Sequence, residues 1–272
     1  MEASVNLLAG RYETVVEIGG LPITICTDDY NFALMLERRY ANFIGTHSKG
    51  VINLEVEIIA PSASGADDPL EVSVEHGRWL MRRGDFQAEW NPLNNRGRVR
   101  QAASPYAIDS VLRIIHSLVL TAGDGFLLHS ASAIRNGRAA LFSGVSGAGK
   151  TTISRLAPRD VTLLTDEISY VRMLGSQYHA FGTPFAGELG IPGENVRAPL
   201  ATLYFLKQGR ENRSRPLATA VAARMLLRNV LFFADDSDLV ELAFARACDF
   251  VERVPVCELT FRPDASVWDL IQ

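Results

Sequence analysis

The run Gly144-Val145-Ser146-Gly147-Ala148-Gly149-Lys150-Thr151 fills every position of the phosphate-loop pattern G-x-x-x-x-G-K-[ST]. These residue types suit one kind of chemistry, the cradling of a polyphosphate. Glycines at Gly144, Gly147 and Gly149 let backbone N–H groups, those of Ser146 and Ala148 among them, turn inward around phosphate oxygens with no Cβ in the way. Lys150 can reach the β- and γ-phosphates, and the Thr151 hydroxyl can ligate Mg²⁺. The flanks agree. Ala139–Phe142 precedes the loop as an apolar strand, and Lys150–Ala157 follows it as a helix whose N-terminus adds partial positive charge. The expectation is a site for ATP, or another nucleoside triphosphate, with Mg²⁺. An ordinary glycine turn is the competing reading, and it leaves the complete match unexplained.

The next strand, Val161–Leu164, leads into Asp166-Glu167, only 16 positions after Lys150. Ordinary phosphate-loop ATPases place their metal-binding aspartate further along, after at least one more βα unit. Here Pro158 stops the intervening helix, leaving a crossover just above the dozen or so residues that a βαβ unit needs. One carboxylate would then hold Mg²⁺ through Thr151 or a water, and the other would face a substrate hydroxyl as general base.

His129 is the third candidate. With Asn136-Gly137 as a two-residue hairpin turn, Arg135 pairs Arg138, Ala133 pairs Ala140, and His129 falls opposite Gly144. That register sets an imidazole at the entrance of the loop, where it could pair with an acid or a phosphate and titrate near neutral pH. His47, His76, His116 and His179 have no comparable placement and read as structural.

The elements that must position these residues begin near Ser104, which caps a helix started by Pro105, with Ile108, Val111, Leu112, Ile115 and Val119 at helical spacing. Strands Phe126–Ile134 and Arg138–Ser143 follow, and helices over about Leu217–Ala234 and Asp238–Val254 carry apolar stripes that read as core-facing. The first hundred residues are β-rich. Tyr12–Ile18 and Leu21–Cys26 flank the hairpin signal Gly19-Gly20; Asp28 or Asp29 caps a helix running to about Ile44 and ended by Gly45. Val51–Ile59 alternates as a half-buried strand, Ala60–Pro69 is a loop, and Leu70–His76, Arg78–Arg82 and Phe86–Trp90 are further strands. Turn-rich Asn91–Arg98 marks the boundary region, giving an α+β cover or recognition domain over residues 1–103 and a catalytic domain over 104–272.

Composition narrows the classes. An apolar share of 47% over 272 residues supports a buried core and excludes disorder, and 27 basic against 31 acidic side chains argues against a nucleic-acid partner. No apolar run approaches the roughly 18–20 residues of a membrane span, and no signal peptide is visible. Cys26, Cys248 and Cys257 are too few and scattered for a disulfide framework or a zinc site, which fits a reduced, cytoplasmic protein.

The motifs in order resemble a known family, the HPr kinase/phosphorylase C-terminal domain, and more closely the short HPr-kinase-like proteins. The resemblance rests on Leu128-His129-Ser130-Ala131, Gly144–Thr152, Thr165-Asp166-Glu167 and Gly182-Thr183-Pro184-Phe185-Ala186-Gly187-Glu188. It continues through Ala198-Pro199-Leu200 and Tyr204-Phe205-Leu206 to Leu259-Thr260-Phe261-Arg262-Pro263, and so covers roughly residues 104–272. It implies a compact α/β phosphate-loop kinase core of the type shared with phosphoenolpyruvate carboxykinase, and phosphoryl transfer from Mg-ATP to a serine hydroxyl of a protein. In this resemblance Lys150, Thr151 and Thr152 fall at the nucleotide, His129 at the histidine before the loop, and Asp166 and Glu167 at an acidic pair that is normally two aspartates. Asp166 is favoured as metal ligand or base with Glu167 as its partner, Glu188 is a further metal contact, and Arg197 a phosphate clamp.

The function expected is a kinase acting on a Ser or Thr hydroxyl of a protein or peptide, such as a ribosomally made precursor peptide or a small carrier protein. A small-molecule kinase acting on free serine, a non-catalytic nucleotide sensor and a plain NTPase are the alternatives. The partner expected is the polypeptide carrying the acceptor; a homo-oligomer of the chain is compatible with the resemblance, and no membrane partner is expected.

Overall fold

The computed structural model describes residues 6–8, 10–45, 50–61, 65–190 and 193–271; His47 and Ile191 lie outside the described residues. The chain is mixed α/β, with two large sheets and few helices, and divides into two compact units. Residues 1–115 with 233–236 form one, and residues 116–232 with 237–272 form the other.

The first unit is an eight-stranded sheet made of β1 (Asn6–Leu8), β2 (Arg11–Ile18), β3 (Leu21–Thr27), β4 (Ile52–Ile58), β5 (Glu71–Glu75), β6 (Arg78–Arg83), β7 (Phe86–Asn91) and β8 (Arg96–Gln101). Its order is β1-β2-β3-β4-β8-β7-β6-β5, and only the β3–β4 and β4–β8 pairs are parallel. The Gly19-Gly20 hairpin forms as expected: Ile18 pairs Leu21, and both glycines take positive φ (62° and 78°), as a tight turn of this hand requires. Alternation then sorts the faces. Ile52, Leu54, Val56 and Val99 are buried, while Glu55, Glu57, Arg98 and Arg100 point outward and pair across strands, Arg100 to Glu57 at 3.0 Å. On this charged face lies a trough of about 800 Å³ bordered by Arg11, Asp28, Glu55 and Arg98.

Two expectations for this unit fail. The first helix, α1 (Tyr30–Arg39), is capped by Asp29, whose Oδ1 accepts the Phe32 N–H at 2.8 Å, but it stops five residues short of Ile44. A 3₁₀ turn over Ala41–Phe43 replaces its last turn. The tighter turn brings positions three apart into line, so Tyr40 and Phe43, both fully buried, enter the core together. The second failure is at Asn91–Arg98. Only the turn at 92–95 is irregular, and Arg96 opens β8, which lies between β4 and β7. Its inward residues are Gly97, Val99 and Gln101, so the strand has almost no hydrophobic signature. Burial, followed by repulsion from Glu13 and Glu55, pushes the Cys26 thiol up to about 11; all three cysteines are unpaired and half-buried.

Helix α2 (Pro105–Ala122) forms as expected, with Ile108, Val111, Leu112 and Ile115 fully buried. The second unit follows with β9 (Gly125–Arg135), β10 (Arg138–Ser143), α3 (Lys150–Arg155), β11 (Thr162–Thr165), β12 (Ile168–Leu174), β13 (Gln177–Phe181) and β14 (Arg197–Gln208). It ends with β15 (Arg213–Pro216), α4 (Thr219–Leu227), β16 (Val230–Leu231), α5 (Ser237–Arg253), β17 (Val256–Phe261) and a 3₁₀ turn over Ala265–Leu270. The sheet runs β10-β9-β12-β13-β14-β17-β15, and β10 also pairs β14, closing five strands into a ring. Strands β10, β14 and β17 are mutually parallel, so their C-terminal ends lie side by side.

One cluster, with Phe126, Leu141, Phe205 and Phe250, packs one face of these strands; Phe142, Ile153, Tyr204, Phe261 and Trp268 pack the other. The helix expected over Leu217–Ala234 ends at Leu227. The edge of β9 recruits Val230–Leu231 as a short strand, and the Asn229 carbonyl accepts the His129 N–H at 2.8 Å. Helices α4 and α5 face the core as expected, burying Ala222, Leu226, Ala247 and Phe250 and packing Leu227 and Val251 against the same cluster, while Phe244 is 57% exposed.

Candidate functional site

The β9–β10 hairpin has the register expected from Asn136-Gly137, with Arg135 opposite Arg138 and Ser130 opposite Ser143. The next residue on each strand is His129 and Gly144. His129 is half-buried and its backbone is tied on both sides: its carbonyl accepts the Ser143 Oγ at 2.9 Å, and on the other edge it pairs Ile168 of β12.

From Ser143 the chain turns through the glycine loop into α3. Gly147 and Gly149 take φ of 77° and 113°, conformations open to glycine. Gly149 is confined as well, since a Cβ there would sit 2.6 Å from the Phe261 ring at the end of β17. Val145, Ser146 and Gly147 are exposed, whereas Ala148 is buried and donates its N–H to the Val145 carbonyl at 3.0 Å. Lys150 Nζ donates to the Gly144 carbonyl at 3.2 Å. Burial pulls the Lys150 pKa down, and the charges of Glu167 and Glu188 oppose that shift. Helix α3 is six residues rather than the expected eight, so Lys150 is the main source of positive charge at the loop. Thr152, the third residue of α3, accepts the Leu156 N–H through its carbonyl at 3.0 Å.

Strand β11 runs antiparallel to β9 on the edge opposite β10, so β10-α3-β11 is a short crossover with β9 in between. Its end delivers Asp166 and Glu167 toward the loop formed by Gly187–Gly190. Asp166 is 6% exposed, and its two carboxylate oxygens accept the Gly187 N–H at 2.8 Å and the Leu189 N–H at 2.9 Å. Between those amides sits Glu188, whose Oε2 accepts the Thr151 hydroxyl at 3.1 Å. Gly187 lies so close that a Cβ would stand 2.9 Å from Glu167 Cβ and 3.0 Å from Asp166 Oδ2. Thr151, Lys150, Asp166, Glu167 and Glu188, separated by up to 38 positions in the chain, thus meet at one place.

Among the described residues no group of three or more His, Cys, Asp or Glu side chains is gathered for a metal ion. The donor set at Thr151 and Glu188, backed by Asp166, is a hydroxyl and hard carboxylates. That fits Mg²⁺, which is commonly held by one or two carboxylates together with substrate phosphates.

Sequence reasoning missed Gln208. Its Nε2 donates to the Gly147 carbonyl at 2.7 Å, fixing one peptide of the loop from the end of β14. No motif marks this glutamine, and only the β10–β14 pairing brings it there. At the other end of β14, the Arg197 guanidinium lies over the Phe181 ring, 5.8 Å from its centroid.

A family model described as SynChlorMet cassette protein ScmC matches residues 101–272, well over half of the chain. The chain belongs to that family. The segment shared with ScmC holds the glycine loop, the two acids that follow β11 and the Glu188 loop, that is, every candidate residue described above. No curated protein matches the chain. Among solved structures, it is similar to the Hpr(Ser) kinase/phosphatase from Coxiella burnetii, at 8% identity over 50% of this chain and 78% of that one, with a TM-score of 0.28. No described helix is long and apolar enough to cross a membrane.

Proposed function

We propose that the second unit is a phosphate-loop kinase core that binds Mg-ATP, or another nucleoside triphosphate, and phosphorylates a Ser or Thr hydroxyl of a protein or peptide in the cytoplasm. The observation that carries this reading is the meeting of Lys150, Thr151, Glu167 and the Asp166-anchored Glu188 at the mouth of the glycine loop. The Lys150 ammonium and the Thr151 hydroxyl stand there with Glu188 and Glu167, while Asp166 is bound to the loop amides, and these are parts that charge stabilisation and proton removal in phosphoryl transfer use.

Bound nucleotide would supply the transferable phosphoryl group and phosphate oxygens to the cation. The chain's own residues do the rest. Loop amides from Gly144 to Gly149, other than the Ala148 N–H already given to the Val145 carbonyl, take phosphate oxygens, and Lys150 moves from the Gly144 carbonyl to a phosphate. Thr151 and Glu188 would hold the cation. Asp166 holds Glu188 in place through the two amides that flank it, and Glu167 takes the proton of the acceptor hydroxyl. His129, one register step from the loop, orients the phosphate or the acid pair. Acceptor selection belongs to residues 1–103, whose sheet carries the charged trough.

The test is γ-labelled ATP with Mg²⁺, the purified chain and a lysate of its own source, with label traced by mass and Lys150→Ala as control. Acid-stable label on a seryl or threonyl polypeptide, lost in the control, is the expected result. Label on a free metabolite would replace the acceptor class. Label only in inorganic phosphate, or nucleotide binding without turnover, would overturn the kinase reading.

A further inference from the structure

Strand β5 ends the eight-stranded sheet of the first unit, with β6 as its one neighbour among the described residues. The His76-Gly77 turn, with φ of 50° and 73°, makes Glu75 and Arg78 the first hydrogen-bonded pair of the β5–β6 hairpin. Pairing alternates from there. Ser73 and Glu71 also bond to β6, while the N–H and C=O groups of Val72 and Val74 point away from it, toward the open edge. The side chains alternate as well. On the inner face the row Trp90, Trp79, Val74 runs from 4% exposed at Trp90 to 46% at Val74, so the apolar layer reaches the edge without being closed there. Neither proline, nor a bulge, nor an inward-pointing charge interrupts β5 between Glu71 and Glu75, although such devices commonly blunt a sheet edge.

The outer face says what kind of strand fits beside this one. Its charge changes sign from strand to strand, with Glu57 on β4, Arg100 on β8, Glu89 on β7, Arg78 on β6, and Glu71 and Glu75 on β5. Ion pairs cross the strands accordingly, Arg100 to Glu57 at 3.0 Å and Arg78 to Glu89 at 3.6 Å. Because Arg78 turns to Glu89, the two acids of β5 form no ion pair among the described residues. Opposite charges on adjacent strands favour pairing and like charges oppose it. A second copy is therefore a poor neighbour. Centred on Ser73, a two-fold antiparallel pairing sets Glu71 of each copy against Glu75 of the other, and shifting the centre to Val72 or Val74 keeps those acids on adjoining positions of one face. A strand with basic side chains at that spacing continues the alternation instead. We infer that the β5 edge takes up an extended segment of a partner polypeptide as a ninth strand, with apolar side chains on the inner face and Lys or Arg four positions apart on the outer face.

Fluorescence anisotropy with the full chain and a labelled synthetic peptide containing Lys-Val-Thr-Val-Lys tests this, and as a binding measurement it stands apart from the kinase reading. The lysine peptide is expected to bind with a Kd of about 10–100 μM. A peptide with Glu-Val-Thr-Val-Glu in its place should bind at least tenfold more weakly. Val74→Pro removes a donor that faces the open edge and leaves every bond to β6 in place, so binding should fall at least tenfold while the melting temperature stays nearly unchanged. Glu71→Lys combined with Glu75→Lys should reverse the preference, so that the acidic peptide binds better. No binding of the lysine peptide at about 1 mM, equal binding of the two peptides, or affinities unchanged in either variant would overturn the proposal. So would a chain that pairs with its own copy at this edge, seen in sedimentation as a dimer that Val74→Pro dissociates.

Discussion

Replacing Asp166 by asparagine keeps the shape of the side chain and removes one of its two acceptors. In the native loop the carboxylate takes the Gly187 N–H at 2.8 Å and the Leu189 N–H at 2.9 Å from a position only 6% exposed. Asparagine satisfies one of these amides with its oxygen and turns an NH₂ toward the other, donor against donor. Hydrogen bonds to a charged group contribute about 1.5–3 kcal/mol each, and an unpaired buried donor costs a comparable amount, so the loop should lose about 2–3 kcal/mol of local stability. At about 1.4 kcal/mol per factor of ten, amide exchange at Gly187 or Leu189 should rise roughly 30- to 150-fold. Hydrogen exchange read residue by residue measures this, with the Leu141 amide in β10 as internal reference. With the loop released, Glu188 no longer faces Thr151, so the Mg²⁺-dependent part of nucleotide binding should weaken too. Unchanged exchange at both amides in Asp166→Asn would refute the claim that Asp166 holds the loop. Faster exchange with unaltered Mg²⁺-dependent binding would refute the claim that this loop serves the cation.

Other sites give independent outcomes. Gln208→Ala should raise the KM for nucleotide several-fold with kcat and melting temperature little changed, because its amide touches only the Gly147 carbonyl from an exposed position. Asp109 accepts from both Arg39 and the Tyr40 hydroxyl, the latter at 2.6 Å in full burial, so Asp109→Ala should cost about 3 kcal/mol in urea unfolding and Tyr40→Phe about half that. His116 is fully buried with no hydrogen-bond partner on either ring nitrogen among the described residues, and burial pulls its pKa down to about 3. Below pH 6.5 the unfolded chain therefore takes up a proton that the folded chain refuses. Each pH unit between about 6.5 and 3 should remove up to about 1.4 kcal/mol of stability, and His116→Phe, measured by chemical unfolding across that range, should flatten the slope.

Short-range chemistry was open to reading from the sequence. The glycine loop, the Asn136-Gly137 register that sets His129 beside it, the Gly19-Gly20 hairpin and the Asp29 cap all depend on residues within a few positions of one another. Each is a local rule about which φ a glycine permits or which side chain can reach a nearby amide. The nearness of the acids to the loop was legible as well, because Pro158 stops the helix after about two turns and Asp166 follows Lys150 by only 16 positions. Errors fell where a distant element chose the conformation. Tyr40 left its helix for Asp109, Val230–Leu231 left theirs for the edge of β9, and β8 was hidden because its buried positions are Gly97, Val99 and Gln101.

Residue types and spacing thus determined that this chain has a glycine loop that fills the phosphate-loop pattern, an acidic pair soon after it and a histidine in register. What the acids do was decided by tertiary structure alone. Asp166 faces the Gly187 and Leu189 amides, and Gln208 reaches the Gly147 carbonyl, only because β10 and β11 pair opposite edges of β9 and β14 pairs β10. A hydrogen bond needs its partners within about 3 Å. Contacts across 20 to 60 positions of chain are therefore set by strand pairing, to which the identity of a lone glutamine or aspartate gives no clue.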